Sequence, residues 1–424
     1  AHPTQGRPGS TAVGRMPHAS PPMRRPIAHL TGAAAVLAVL VAVSISLAPG
    51  AFTPGELPPA ASPPAASLAA PGPELTNRES ISPVASGDGG GTAQPIELQP
   101  ATASQAAALQ RAVDRARAAF GLNAVAVGVS ADAQVGWSGA SGPPRDGLTP
   151  LSGATPFAIA SVTKTFTAAI VLELVEEGRV AIDGAVTDYL PELTLARGVT
   201  VRELLSHTSG IADLLAPMRD RLNAEPSRVW QPAEVLALVG PSRFEPGTDW
   251  GYSNTNYLIA GMLIERVTGH PFADELEHRI TGPLELLGTG VPSLDGLPYL
   301  LGVSWTTAFG ASAMLDSDAA DLVRWGDALY GGAILQPLSL DRMLEFNADG
   351  YGLGAERYRF GGLLGYGHSG LLRGYTTLLV HIPDANVTVA VLAVGHLFDV
   401  TDLLTYSGLG APSILALAGE LAPR

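Results

Sequence analysis

The stretch SVTKTFTAAIVLELVEEG, residues 161–178, is the most informative part of the chain. Apolar residues follow helical spacing along it, residues 168–172 are apolar on every side, and Gly178 ends the pattern. A helix that is apolar all round is buried in a core instead of lying on a surface. The stretch therefore predicts a buried helix that carries Ser161 and Lys164 at its N-terminal end.

Lys164 is the only lysine of the chain, and the other basic residues are all arginine. An ammonium group can lose its proton where the surroundings disfavour charge, whereas a guanidinium group cannot. Burial and the positive end of the helix dipole both disfavour the charged form, so we expect the pKa of Lys164 to be lowered. Lys164 is therefore a candidate general base near neutral pH.

Ser161 stands three residues before Lys164, and positions i and i+3 share one face of a helix. The amine can therefore reach the hydroxyl and activate it as a nucleophile. Backbone N–H groups at the start of the helix can help to hold a developing oxyanion. The alternative is that Ser161 only caps the helix.

Two further motifs lie downstream. Tyr252-Ser253-Asn254 precedes a helix predicted over 257–268 and is a second candidate site motif. The alternative is a structural role, in which Asn254 or Thr255 caps that helix and Tyr252 is a packed aromatic residue. His368-Ser369-Gly370 leads into the C-terminal strands. It begins like a Gly-x-Ser-x-Gly esterase elbow, but Leu371 replaces the last glycine and no helix follows, so we reject the elbow.

Composition excludes several classes of protein. The 424 residues carry a net charge of −14 and no cysteine, which excludes disulfides, cysteine-bound zinc and a thiol nucleophile. Thr163 precedes the only lysine, so a phosphate-binding Gly-Lys loop is excluded. The acidic body lacks a basic stripe and argues against nucleic acid. Histidine spacing predicts no metal site, and we expect no cofactor. His207, which precedes a turn, is assigned a structural role.

The chain divides into four parts by composition. Residues 1–22 resemble a disordered leader, and residues 23–49 combine Arg24-Arg25 with a long uncharged apolar run, as in a signal peptide or a membrane anchor. Residues 50–103 form a linker rich in Pro, Ala, Ser and Gly. Residues 104–424 form the folded domain. We expect an exported protein that is anchored in the cell membrane facing outward, or secreted.

Strand and helix patterns predict an α/β (α+β) fold. Short strands are expected over 124–129 and 135–137, and longer ones over 375–382 and 387–394, joined by a turn. The middle, from about 161 to 330, has mostly helical patterns. We therefore predict one antiparallel sheet flanked by helices and completed by both termini of the domain, plus a helical domain.

Taken in series, the three motifs resemble those of the penicillin-recognising serine hydrolases. These are the class C β-lactamases, the low-molecular-mass D-alanyl-D-alanine carboxypeptidases and the family VIII esterases. The connecting sequence is similar to that family in residues 180–193, 204–210 and 244–247. The resemblance covers roughly residues 105–400 and implies a β-lactamase/transpeptidase-like fold with the active site between sheet and helices.

The resemblance also implies a two-step acyl transfer. Ser161 would attack a carbonyl carbon while Lys164 and Tyr252 handle its proton. The backbone N–H groups of Ser161 and Leu371 would hold the oxyanion. Asn254 would bind the amide of the acyl group and help to position Lys164.

By the same resemblance, His368, Ser369 and Gly370 would lie at the cleft edge where a substrate carboxylate sits. The family pattern often has lysine at the first position, and the present histidine can be uncharged at neutral pH. Arg359 and Arg373 are candidates for the missing charge. This departure concerns the class of substrate more than the acyl-enzyme chemistry.

The leading prediction is a D-alanyl-D-alanine carboxypeptidase, D-peptidase or β-lactamase that acts on a D-amino-acid peptide, a β-lactam or an ester. A family VIII-type carboxylesterase is the alternative within the enzymes. A receptor that binds a β-lactam or a muropeptide without turnover is the alternative outside them. An inactive scaffold is disfavoured, because Ser161, Lys164 and Tyr252 are all present.

Overall fold

The computed structural model describes residues 94–144, 147–293, 296–298, 300–396 and 398–421. The predicted leader, the predicted signal peptide or anchor, and most of the predicted linker lie outside these residues. Within the described ranges, no helix has both the length and the apolar character needed to cross a membrane.

Among the described residues, seven strands form one sheet in the order β1-β3-β2-β9-β8-β7-β6, and β4 pairs with β5 separately. Every neighbouring pair is antiparallel except β1 and β3. The strands are β1 Gln99–Pro100, β2 Ala124–Ala131, β3 Val135–Ser141, β4 Phe157–Ala158, β5 Asp316–Ser317, β6 Glu356–Phe360, β7 Leu363–Leu372, β8 Tyr375–Ile382 and β9 Val387–Val394. The sheet therefore joins strands from both ends of the described chain.

Helices occupy both faces of this sheet and most of the middle of the chain. They are α1 Ala103–Ala119, α2 Thr163–Glu176, α3 Val186–Tyr189, α4 Val201–Leu205, α5 Leu215–Ala224, α6 Pro232–Leu236, α7 Asn254–Thr268, α8 Phe272–Leu276, α9 Val303–Phe309, α10 Ala319–Tyr330, α11 Pro337–Met343, α12 Val400–Thr405 and α13 Ile414–Gly419. Single turns of 3-10 helix lie at Ala160–Val162, Thr194–Ala196, Gly310–Ser312, Pro383–Ala385 and Gly408–Gly410, and a π turn lies at Glu277–Thr281.

The apolar residues of β2 alternate between two cores. Val125, Val127 and Val129 face a core shared with α1, α12 and α13, whereas Ala126 faces the larger core that contains α2, α7 and α10. Successive side chains of a strand point to opposite faces, which explains a strand buried on both sides. Gly128 allows α10 to approach closely, because a Cβ there would lie 2.1 Å from the Ala319 carbonyl oxygen.

The predicted fold class is confirmed: the sheet is mostly antiparallel, flanked by helices and built from both ends of the domain. Several boundaries differ. The strands predicted over 124–129 and 135–137 extend to Ala131 and Ser141. Gln99 and Pro100 pair with β3 at the sheet edge, within the segment predicted as linker. A proline on an edge strand loses no ladder hydrogen bond, so composition alone does not exclude such pairing.

Candidate active site

Ser161 lies in the 3-10 turn between β4 and α2. Ala160 just before it adopts φ +47°, a left-handed conformation that costs a residue with a side chain about 1 kcal/mol or more. The turn is held in place where the Ile159 N–H donates to the Leu315 carbonyl oxygen, 3.0 Å away. The result is a partly exposed serine at the mouth of a buried helix.

Lys164 is fully buried in the first turn of α2. Its Nζ lies 3.0 Å from Ser161 Oγ, 2.9 Å from Asn254 Oδ1 and 2.8 Å from the Ser312 carbonyl oxygen. Burial lowers the pKa of Lys164 to about 7, although two nearby carboxylates act in the opposite direction. Near neutral pH a substantial fraction of this amine is therefore unprotonated and able to accept the proton of Ser161.

Ser161 does not cap α2. The residue before the helix is Val162, which makes no side-chain capping bond, and Ser161 Oγ is engaged by Lys164 instead. The interpretation of Ser161 as a simple helix cap is therefore wrong.

Tyr252 completes the contacts of the serine hydroxyl. Its OH donates to Ser161 Oγ over 2.8 Å, and Lys164 Nζ lies 4.9 Å from the centre of its ring. Burial raises the pKa of Tyr252 well above its usual value. Tyr252 therefore keeps its proton at neutral pH and is a donor, which leaves Lys164 as the group that can act as a base.

Asn254 links Lys164 to Asp213, a residue that the sequence did not single out. The backbone N–H and the Nδ2 of Asn254 donate to Asp213 Oδ1 over 2.9 and 3.1 Å. Asp213 thus supplies a carboxylate to the N-terminus of α7, so neither Asn254 nor Thr255 caps that helix with its own side chain. Burial raises the pKa of Asp213, while hydrogen bonds from Asn254 and the charge of Lys164 oppose that rise.

His207 packs directly on the Tyr252 loop. Its ring centre lies 4.3 Å from that of Tyr252, and its Nδ1 accepts from the Ser253 N–H at 3.3 Å and lies 3.1 Å from Asn256 Nδ2. Burial lowers the pKa of His207 well below its usual value, so the ring is neutral. His207 therefore has a structural role, as predicted, because it fixes the loop that carries Tyr252.

β7 has a free edge beyond the end of its pairing with β6. β6 pairs with β7 only as far as Gly367, and beyond it the Ser369 N–H donates away from β8, to Glu356 Oε2 at 3.0 Å. Alternate N–H groups of a strand point to the same side, so the Leu371 N–H also points to this edge.

Gly370 brings one face of β7 against the serine turn. A Cβ at Gly370 would lie 2.4 Å from the Ile159 carbonyl oxygen and 3.1 Å from Ser161 N. This close approach places the backbone of Ser161 beside β7, and the oxyanion role of the Ser161 and Leu371 N–H groups stays a prediction.

His368 does not line the cleft edge. It is 1% exposed, its Nε2 lies 2.9 Å from the Tyr351 hydroxyl, and its Nδ1 contacts the Ser369 carbonyl oxygen. Burial lowers the pKa of His368, and both ring nitrogens are already engaged. The prediction that His368 meets a substrate carboxylate is therefore corrected, because the side chain is buried on the inner face of β7.

The two arginines considered as a replacement charge have different surroundings. Arg359 is an exposed residue of β6, paired with Leu364. Arg373, in the turn after β7, donates to the Leu301 carbonyl oxygen over 3.3 Å and stacks over Trp305. In the part of the chain that the structure describes, no three His, Asp or Glu side chains group so as to hold a metal ion.

Comparison with known proteins agrees with this geometry. The family model described as Beta-lactamase matches residues 109–402. The chain belongs to the Beta-lactamase family. The match includes all three motifs and every residue placed above around Ser161.

Relatives of known name include a penicillin-binding protein and several D-aminopeptidases. Penicillin-binding protein 4 of Amycolatopsis lactamdurans is 29% identical over 63% of this chain and 81% of its own length. D-aminopeptidase of Brucella anthropi is 30% identical over 65% of this chain, which spans only 56% of that relative.

Among solved structures, a D-stereospecific amidohydrolase from Streptomyces sp. matches with a TM-score of 0.61 and 28% identity, over 72% of this chain and 99% of its own. D-amino acid amidase from Ochrobactrum anthropi SV3, complexed with D-phenylalanine, matches with a TM-score of 0.62 and 26% identity, over 70% and 93%. The chain is therefore a serine hydrolase of the D,D-peptidase and β-lactamase type.

Proposed function

We propose that this protein hydrolyses an amide bond adjacent to a D-amino acid through an acyl-enzyme on Ser161. The observation that carries the proposal is that Ser161 Oγ lies within hydrogen-bond distance of both Lys164 Nζ and Tyr252 OH. The preference for a D-residue is supported by relatives named D-aminopeptidase, D-amino acid amidase and D-stereospecific amidohydrolase.

In the first step, Ser161 Oγ attacks the carbonyl carbon and its proton passes to the neutral amine of Lys164. The negative charge that develops on the carbonyl oxygen is held by the N–H groups of Ser161 and Leu371. Tyr252 gives its proton to the leaving nitrogen as the C–N bond breaks, and Lys164 returns a proton to Tyr252. The proton of Ser161 thus ends on the released amine, and an ester remains on the enzyme.

In the second step, water attacks the ester carbonyl carbon. The Lys164 and Tyr252 pair accepts the proton of the water, and Ser161 Oγ takes it back as the C–O bond breaks. Asn254 holds Lys164 in reach of the serine throughout, because its Oδ1 accepts from Nζ and its Nδ2 is fixed by Asp213. We also propose that Asn254 contacts the amide of the substrate's acyl group.

The test uses D-phenylalanine amide and L-phenylalanine amide with the wild-type chain and with Ser161→Ala. We expect release of ammonia from the D-amide alone, and none from the variant. Equal rates on both amides would remove the D-specific part of the proposal. Hydrolysis that survives in Ser161→Ala would refute the nucleophile.

Acylation by a penicillin is the second candidate, favoured by similarity to penicillin-binding protein 4 over most of that protein's length. Intact-mass spectrometry after mixing with a penicillin separates the outcomes. A lasting adduct that depends on Ser161 would indicate a penicillin-binding peptidase or receptor, and a transient adduct with hydrolysed drug would indicate a β-lactamase. No adduct would favour the amidase and esterase branch.

We also propose that the protein works outside the cytoplasm, tethered to the membrane or secreted. The support is the basic pair Arg24-Arg25 before a long uncharged apolar run. Cell fractionation of the full chain in its host tests this. Recovery of the activity with the cytoplasmic fraction would contradict it.

A further inference from the structure

A buried carboxylate occupies the free edge of β7 beside Ser369. Glu356, the first residue of β6, is 3% exposed, and its Oε2 accepts from the Ser369 N–H at 3.0 Å and from the Ser369 hydroxyl at 2.9 Å. The Tyr358 hydroxyl donates to the same oxygen. The other oxygen, Oε1, has no hydrogen-bond partner and lies 3.9 Å from His368 Nδ1.

This carboxylate lies close to the reaction centre. Ser369 precedes Leu371 by two positions on the same edge, which separates their N–H groups by about 7 Å. Glu356 also raises the pKa of Lys164, against the larger effect of burial, so its charge reaches the catalytic amine. A substrate that lies along β7 with its carbonyl oxygen at the Leu371 N–H therefore extends next to the Glu356 carboxylate.

A carboxylate on the substrate would find no suitable partner at this point. Both polar hydrogens of Ser369 are directed at Glu356, and the buried His368 ring has both nitrogens engaged. A second negative charge would also be repelled by Glu356 in a site of low dielectric constant. A neutral amide, an ester or a cationic group would meet neither penalty.

We propose that Glu356 sets the substrate class: the enzyme accepts D-amino acid derivatives whose leaving group is neutral or cationic, and discriminates against leaving groups with a carboxylate next to the scissile bond. The proposal rests on the acyl-enzyme function proposed above. Glu356 is a specificity determinant that acts through Ser369 and through its charge, not a group that touches the reacting atoms.

The test compares D-phenylalanyl-D-alanine with the same dipeptide bearing a C-terminal carboxamide, by the kcat/KM for release of D-phenylalanine. D-phenylalanine methyl ester reports acylation without a charged leaving group. We expect the wild type to favour the carboxamide by at least about tenfold, and Glu356→Gln to reduce that ratio to about threefold or less while it still hydrolyses the ester. The exposed Glu345 provides a matched control, and Glu345→Gln should keep the wild-type ratio.

Equal wild-type rates on the two dipeptides would overturn the proposal, as would an unchanged ratio in a folded Glu356→Gln that still hydrolyses the ester. A wild-type preference for the carboxylate that disappears in Arg373→Gln would overturn it too, since Arg373 would then be the recognition group.

If Glu356→Gln fails to fold, an inhibition experiment on the wild type tests the proposal instead. D-alanine and D-alaninol, which has no bond that the enzyme cleaves, are then compared as inhibitors of ester hydrolysis, and weaker inhibition by D-alanine is expected. Inhibition by D-alanine at least as strong as by D-alaninol would overturn the proposal. Failure of the proposed function would be seen on the ester instead. Either the wild type would not hydrolyse the ester, or Ser161→Ala would still hydrolyse it.

Discussion

Gly370 is the residue whose substitution tests the assembled site most directly. In Gly370→Ala the new Cβ would lie 2.2 Å from Thr377 Oγ1, 2.4 Å from the Ile159 carbonyl oxygen and 3.1 Å from Ser161 N. An ordinary contact at the carbonyl oxygen needs about 3.4 Å, so β7 must retreat from the serine turn by about 1 Å. That retreat separates the N–H group of Leu371 from that of Ser161.

A displacement of this size is costly for catalysis and moderate for stability. Misplacing a catalytic group by about 1 Å lowers a rate by about a hundredfold, and losing one oxyanion donor lowers it by about a hundredfold to a thousandfold. Overpacking a core costs about 1–3 kcal/mol of unfolding free energy. We therefore expect acylation of Gly370→Ala to be slower by about a hundredfold or more in a protein that still folds.

The assay is the rate of acyl-enzyme formation with a D-phenylalanine ester, followed by intact mass, together with the melting temperature. Gly365→Ala on the same strand is the matched control, because its new Cβ meets a Val380 side-chain carbon at 2.8 Å and backbone no closer than 3.2 Å. The control should acylate within about threefold of the wild type, since its shift lies away from the oxyanion donors. A folded Gly370→Ala that acylates at the wild-type rate would refute the assignment of this edge of β7 to the oxyanion site.

Three further predictions concern titrating groups. Because burial lowers the pKa of Lys164 to about 7, kcat/KM on a neutral ester should fall as pH drops through about 7, and a flat pH profile would argue against Lys164 as the base. Lys164→Arg should be folded but inactive, because a guanidinium group cannot act as a base. Asp213 raises the pKa of Lys164, so Asp213→Asn should move that inflection to lower pH, and an unchanged inflection would show that the two charges are not coupled. Asp327 is a buried residue of α10, and burial raises its pKa from 3.8 to about 6, so its contribution to stability is complete below 3.8 and is lost as pH rises through about 6. Denaturant unfolding of Asp327→Asn should show a smaller loss of stability across that interval than the wild type.

Local spacing is what made the nucleophile predictable from the sequence. Ser161 and Lys164 are one helical turn apart, so their contact follows from helix geometry alone. The uniformly apolar residues 168–172 gave the burial that lowers the pKa of the lysine. Tyr252 lies 91 positions from Ser161, and only the order of the three motifs brought it into the predicted site.

The groups that the sequence did not reveal reach the site through loops and strand pairing. Asp213 lies 41 positions before Asn254 in a loop with no distinguishing pattern, and Glu356 reaches Ser369 only because β6 begins beside the free edge of β7. His368 was misplaced for a related reason. The His-Ser-Gly pattern does not show on which face of the strand each side chain lies. It also does not show that the Tyr351 hydroxyl is hydrogen-bonded to the His368 ring.

The pairing of β2 with β9 has a consequence for how the chain is made. β9 is translated roughly 260 residues after β2, since Ala131 pairs with Val387 and Ala124 with Val394, which is a very long loop to close during folding. Translation adds about 5–20 residues per second, so the nascent chain carries the apolar hairpin of β2 and β3 for tens of seconds before β9 is made. During that time the edge of β2 that later pairs with β9 has no partner strand. An open apolar edge is a template for aggregation, so chains that terminate before Val387 should form insoluble protein instead of a smaller working domain.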